Sequence, residues 1–258
     1  MKRSALAIAA HPDDIEFLMA GSLMALADAG YEIHYWNVAD GCCGSMTTDR
    51  ETTARIRLAE AQAAAASIGA HFHAPLCADL EVIYSLELLA KVTSVMRAIE
   101  PEIVLTHAPS DYMEDHMQVA RLAVTGAFCR GMPNFSVNPP RAITQQKVTV
   151  YHAQPYQNRD PLGQLVMPEL FVETADLVER KVDMLACHKS QKEWLDQSQG
   201  MGSYLEALRD LDRQVGHLSA KFSFAEGWRR HLHAGFCDPD DDPLADALAS
   251  RVVRNPAY

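Results

Sequence analysis

Residues 10–14 read Ala-His-Pro-Asp-Asp, which puts an imidazole and two carboxylates into one turn of chain. Such a group is costly to bury unless a cation or hydrogen bonds offset the charge. His11 and Asp14 are three residues apart, one turn of helix, so both can meet one ion. Imidazole and carboxylate are standard zinc donors. Asp13 would then point elsewhere, free to act as a base beside the metal. A helix cap accounts for one Asp, but not for the His and the second Asp with it.

A second group runs from Thr106 to His116 and contains His107, Asp111, Asp115 and His116. Alone, His116 would be read as a surface histidine in the first turn of a helix. Paired with His11 and Asp14 it completes three protein ligands, the pattern of a catalytic zinc site with its fourth position open. Asp111 and Asp115 are expected behind it, as carboxylates that orient His116 or a loop. His107 is expected at a strand end with a backbone partner.

Both groups need the same kind of support. Ser4 to Ala10 is short, apolar and bounded by Pro12, as a strand buried on both faces would be. Glu16 to Ala29 reads as a helix stopped by Gly30, and Glu32 to Ala39 as a second strand. Thr52 to Ile68 carries an apolar stripe of Ala54, Leu58, Ala61, Ala65 and Ile68 and predicts a helix, as does Leu86 to Ile99 before Pro101. Ile103 to Thr106 is a further strand and Asp115 to Arg130 a further helix. The alternation predicts an α/β, Rossmann-like doubly wound, mostly parallel sheet with helices on both faces. Open sheets of this kind bind ligands outside the carboxyl ends of their strands, where both groups should lie, on one rim.

Beyond residue 130 the pattern loosens. Two loops, 131–146 and 154–168, are long enough to shape a binding site. Val148 to Tyr151 reads as a strand and Leu177 to Lys189 as a helix. No linker separates two domains, so residues 1–258 are expected to form one domain, with residues 192–258 a helical or irregular extension.

Composition sets the outer limits. The 258 residues are 48% hydrophobic and 22% charged, ordinary globular values. The net charge of −11 is the wrong sign for a nucleic-acid or anionic-membrane binder. Six cysteines make no C-x-x-C pair, which predicts reduced thiols in the cytoplasm. Met1-Lys2-Arg3 and the apolar run to Ala10 imitate a signal peptide, but His11 cuts the run short, so export is not expected. No window approaches the roughly 18 apolar residues of a membrane span. A homo-oligomer is compatible with all of this.

With these residues in view, the chain resembles the LmbE-like or PIG-L family of zinc-dependent N-deacetylases. The A-H-P-D-D motif is its hallmark, and Asp111, Asp115 and His116 match the later Asp and Asp-His. Asp40-Gly41 with Gly44-Ser45, Arg57 with Glu60, and His188-Lys189-Ser190-Gln191 add support, so the likeness spans residues 4 to about 191. The resemblance implies zinc on His11, Asp14 and His116, with iron or cobalt able to occupy such a site. It implies Asp13 as general base, Arg57 and His188 near the substrate, and hydrolysis of the N-acyl group of a small molecule, an N-acetylated sugar or a relative of one. The chain departs from the pattern at Met113, where many members carry a His. A thioether neither carries charge nor donates a proton, so His188 is the expected substitute.

The departure keeps a second reading open, a zinc-dependent hydratase or lyase acting on a small carboxylate. A third is a catalytically silent zinc- or sugar-binding module, against which the intact Asp13 argues. His71 and His73 could chelate from one strand face but lack a neighbouring carboxylate or thiol in sequence, so a structural role is expected. Cys42-Cys43 reads as a tight loop rather than a redox couple, and Gly41, Gly44 and Ser45 do not make a phosphate cradle.

Overall fold

In the computed structural model, which describes residues 3–192 and 204–258, strand β1 (Ser4–Ala9) is buried along its whole length. Parallel neighbours flank it, β2 (Glu32–Asn37) and β4 (Ile103–Thr106), so that Ala5 faces Ile33 on one side and Ile103 on the other. Beyond them lie β3 (His71–His73) on β2 and β5 (Thr149–Ala153) on β4, both parallel. Three antiparallel strands continue the sheet: β6 (Leu170–Glu173), β7 (Ala225–Arg230) and β8 (Val252–Arg254). The order is β3-β2-β1-β4-β5-β7-β6-β8.

Alternation along β1 divides the core. Ala5, Ala7 and Ala9 face one layer, with Leu23 and Met24 of α2 (Ala20–Asp28), Ala61 and Ala65 of α3 (Arg50–Ser67) and Met184 of α6 (Val178–Leu185). Leu6 and Ile8 face the other, with Leu89 and Val92 of α4 (Leu86–Ile99) and Val119 and Leu122 of α5 (Glu114–Cys129). The expected α/β sheet with helices on both faces is therefore present, though parallel only from β3 to β5. The antiparallel half follows from the C-terminal segment. The part expected to be helical or irregular supplies α7 (Tyr204–Leu218), β7, α8 (Pro243–Ala247) and β8. Short strands such as Val252–Arg254 carry too few residues for alternation to show.

Two helices differ from expectation for reasons that bear on the site. The segment expected to be one helix over 16–29 is two, α1 (Asp14–Leu18) and α2, broken at Met19 with φ −138°. The buried carboxylate of Glu226 on β7 accepts the N–H groups of Gly21 (2.8 Å) and Ser22 (2.7 Å). That satisfies donors a helix start leaves free and sets the start of α2. In α3, capped by Asp49 accepting from Thr52 N–H at 2.8 Å, the buried stripe is Thr53, Arg57, Ala61, Ala64 and Ala65. Its inward turn carries Arg57 to the sheet's carboxyl edge, where polar partners take its charge.

The strand order reverses between β1 and β4: β2 and β3 lie to one side of the pair and β5 to the other. The carboxyl ends of these two strands border the crevice where such sheets bind ligands. β1 delivers residues 10–14 there and β4 delivers residues 107–116. Among the described residues no helix is long and apolar enough to cross a membrane.

Candidate functional site

Past the end of β1 the chain makes one tight turn into α1. Asn37 of β2 donates to the His11 carbonyl (2.6 Å), and the His11 N–H donates to Asp14 Oδ2 (2.7 Å). Asp13 takes the strain of the turn at φ 112°, in the left-handed region that non-glycine residues rarely adopt. The turn thus sends Asp13 and Asp14 in different directions, as the sequence predicts.

His11, Asp14 and His116 offer ligand atoms that lie within 4.8 Å of one another. The His11 Nε2–H donates to Asp115 Oδ2 (3.0 Å), which leaves Nδ1 facing Asp14 Oδ2 at 3.5 Å. The His116 Nδ1–H donates to Asp111 Oδ1 (3.0 Å), which leaves Nε2 near Asp14 Oδ1 at 3.3 Å. That Nε2 is buried and makes no hydrogen bond. Each imidazole therefore has its far nitrogen on a carboxylate and its near nitrogen aimed at a common point, the support that metal-ligating histidines have. Asp115 also accepts the Leu80 N–H (2.8 Å) and Asp111 the Met113 N–H (3.2 Å), so loop backbone fixes both carboxylates.

The electrostatics call for a cation. Burial works against charge on His11, yet its bonds to Asp115 and Asp14 carry its pKa up to about 9. Burial likewise opposes charge on His116, but Asp14 and Asp111 raise it to about 10. Burial would lift the Asp14 carboxyl, and the His116 charge above all holds it well below the usual range. A divalent ion would meet the same demand by displacing protons from both rings. The donor set of two imidazoles and one carboxylate suits zinc, with a fourth position left open.

His107 is a neighbour of this cage. It has the expected backbone partner: the Ala10 N–H donates to its Nε2 at 2.9 Å. With that lone pair taken, Nε2 cannot also donate to Asp14 Oδ2, 3.3 Å away. Burial pushes its pKa down, so a neutral ring stacks on His116 at 4.0 Å between centroids.

Asp13 faces a cavity of about 350 Å³. Burial pushes its carboxyl up against the opposing cation of Arg57. Arg57 Nη2 lies 3.3 Å from Asp13 Oδ1 and also bonds the Pro12 carbonyl, while Nη1 donates to the Gly41 carbonyl (3.3 Å). The Tyr204 O–H donates to Asp13 Oδ2 at 2.7 Å. Sequence reading missed Tyr204, since a tyrosine 191 residues from its partner carries no local signal. It also missed the aromatic wall of Phe17, Tyr112 and Tyr156, which lines the cavity with Leu18, Leu80 and Met113. Of the two long loops, the later contributes Tyr156, and the earlier contributes nothing to the lining among the described residues.

His188 is not on that lining. It is fully buried, and its Nε2 bonds Glu16 Oε1 (3.0 Å), which also accepts the Tyr35 O–H (3.0 Å). Burial opposes its charge and Glu16 raises its pKa on balance. The structure thus gathers His11, Asp13, Asp14, Arg57, Asp111, Asp115 and His116 at one place and sets His188 behind it.

Known proteins resemble the chain in sequence and in fold. The family described as PIG-L, GlcNAc-PI de-N-acetylase, matches residues 6–127. A diacetylchitobiose deacetylase from Thermococcus kodakarensis is 29% identical over 203 residues, 73% of this chain and 70% of that protein. A 4-oxalmesaconate hydratase from Pseudomonas putida is 25% identical over 235 residues, 88% of each chain. The crystal structure of an N,N'-diacetylchitobiose deacetylase from Pyrococcus horikoshii superposes with a TM-score of 0.72 at 24% identity, over 90% of this chain and 85% of that one. With its A-H-P-D-D turn and the later Asp-His at the switch point of such a sheet, the chain is similar to the LmbE-like, PIG-L family over residues 6–127.

Proposed function

We propose that this protein is a metal-dependent amide hydrolase that removes the acetyl or a related acyl group from the nitrogen of a small molecule, an N-acetylated sugar or a relative of one. The observation that carries the reading is the convergence of His11 Nδ1, Asp14 and His116 Nε2 beside Asp13, the carboxylate that faces the cavity. His11, Asp14 and His116 would hold the ion, zinc by the donor set. When bound, the ion supplies Lewis acidity, which polarises the acyl carbonyl and makes water acidic near neutral pH.

Asp13 accepts a proton from the attacking water and returns it to the departing amine. Arg57 and Tyr204 fix its two oxygens and hold it toward the cavity. Tyr112 packs edge-on against His116 at 5.5 Å between centroids and is the cavity residue beside the cage with an O–H to donate. It can take the part open at Met113, where the sequence suggested His188. His188 acts at one remove, as a charge behind Asp13 held by Glu16. Residues 1–258 are read as one unit of this activity, and the six free thiols favour a cytoplasmic setting.

The similarity to a hydratase over 88% of the chain, together with Met113, favours a second reading: hydration of a small carboxylate. Charge in the cavity weighs against it. Arg57 is the single Arg or Lys on the described lining, and Asp13 and two backbone carbonyls already engage it. The experiment is to incubate the metal-loaded enzyme with a panel of N-acetylated sugars and measure acetate and free amine. No release from any member, with water added across the double bond of an unsaturated carboxylate, would replace the first reading by the second.

A further inference from the structure

A second set of ligating atoms stands on the wall of the same cavity. Cys42 and Cys43 lie in the loop after β2, and that loop hangs from Asp79. Asp79 Oδ1 accepts the Gly41 N–H (2.6 Å) and Oδ2 accepts the Cys43 N–H (2.9 Å). Gly41 has φ +76°, and a Cβ there would meet the Arg57 side chain at 2.6 Å, so the turn is held from both sides. Cys42 is buried, whereas Cys43 is exposed and lines the cavity with Asp79.

The two Sγ atoms are 4.0 Å apart. A disulfide would need about 2.05 Å. Two thiolates on one tetrahedral zinc, with Zn–S of about 2.3 Å, need about 3.8 Å. The spacing is therefore that of a chelating pair. One oxygen of Asp79 completes a group whose ligand atoms all lie within 4.8 Å of one another. Each Asp79 oxygen accepts one hydrogen bond and keeps a lone pair to offer.

We propose that Cys42, Cys43 and Asp79 form a second, thiophilic cation site, separate from the histidine cage, which takes Zn2+ or Cd2+ and obstructs the cavity when filled. Binding replaces two S–H protons, which leave to solvent, and nothing is oxidised or reduced. Burial keeps the Cys42 thiol protonated without an ion, with a pKa pushed up to about 12, and Arg50 stands beside it to offset thiolate charge. The two sites share no ligand, although Asp79 Oδ1 is 4.0 Å from His11 Nε2. An ion on Cys43 would stand on the lining of the cavity that Asp13 faces.

The test is a Cd2+ titration of the reduced holoenzyme already carrying its first ion. The expected result is one further equivalent bound, with thiolate-to-cadmium charge-transfer absorption and two thiols lost to a thiol reagent. Turnover should fall in step with that occupancy, but the absorption reads the site whether or not the substrate is correctly assigned. Cys43→Ser alters an exposed side chain and should abolish the absorption, while His116→Ala should keep it. No absorption in the wild type at excess Cd2+ would overturn the proposal. So would absorption that survives in the Cys42→Ser/Cys43→Ser double variant, or that disappears with His116.

Discussion

Asp111→Asn offers a direct test of the cage, because it changes charge and little else. The Asp111 side chain is 1% exposed, and its Oδ1 accepts from His116 Nδ1 at 3.0 Å and from the Met113 N–H at 3.2 Å. Asparagine keeps the shape and an acceptor oxygen but loses the anion. A hydrogen bond to a charged group contributes roughly 1.5–3 kcal/mol to what it holds. If that stabilisation is transmitted to the ligand, metal affinity should fall by about 10–100-fold, since each 1.4 kcal/mol is a decade. Asp115→Asn should behave alike through His11, whose Nε2 it holds at 3.0 Å. Asp13→Asn should leave affinity unchanged, because Asp13 faces Arg57 and Tyr204 rather than the cage. The assay is zinc competition against a chromophoric chelator, with circular dichroism as the folding control. Wild-type affinity in both Asp111→Asn and Asp115→Asn would refute the view that these histidines are held for a metal.

Other outcomes follow from the same contacts. Asp13→Asn should lower turnover by roughly two to four orders of magnitude with metal retained, the size of a lost general base; turnover within a few-fold of wild type would remove Asp13 from that role. Tyr204→Phe deletes one hydrogen bond to a charged group and should cost about 10-fold in kcat, with KM as the control that substrate still binds. Glu226→Gln should destabilise the fold by about 1.5–3 kcal/mol in urea, because the start of α2 loses the buried charge its N–H groups bond, while Lys181 (2.7 Å from Glu226) keeps Asp212 at 2.7 Å. His152 is buried and its pKa is pushed down to about 4 by desolvation, against 6.5 unfolded. Its contribution to stability is present above pH 6.5 and is lost as pH falls toward 4, by roughly 3 kcal/mol. His152→Gln should therefore flatten the decline in unfolding free energy between pH 6.5 and 4; an unchanged slope would contradict that.

The parallel half of the sheet was legible, β3 (His71–His73) excepted, because most of its strands are short runs rich in apolar residues and its helices end on stop signals. Ser4–Ala9 is buried on both faces and reads as a continuous run, and Leu86–Ile99 has Ser85 as cap and Glu100-Pro101 as stop. The antiparallel half was not. Ala225–Arg230 carries Glu226, Arg229 and Arg230 within six residues, and no alternation survives in that run. Glu226 is there to accept two N–H groups from α2 and to pair with Lys181. Those partners lie far off in sequence, so nothing near Glu226 announces its role. The same cause hid the break at Met19. Nothing near Met19 announces it, because the group that starts α2 arrives from β7.

The cage and the cavity differ in legibility for one physical reason. Metal ligands must converge on a point, and a strand-to-helix turn places two of them within four residues, so His11 and Asp14 leave a compact pattern. His116 and its Asp111, five positions apart, form a second such pattern. A cavity wall has no such constraint. Phe17, Tyr112 and Tyr156 come from three separate segments and share only a surface, with Phe17 6.3 Å and Tyr112 5.9 Å from Tyr156 between ring centroids. Chemistry demands short, fixed distances and is therefore written locally, whereas recognition needs only a shape and is assembled from the whole chain. The ion and the base could thus be proposed from residues 10–14 and 111–116, while the features that separate the deacetylase from the hydratase reading lie in the wall, where Arg57 is the one Arg or Lys among the described residues and is already engaged. That wall offers a carboxylate no free cationic side chain among the described residues, so a carboxylate substrate would depend on the ion alone for a partner, whereas a neutral N-acyl compound would not.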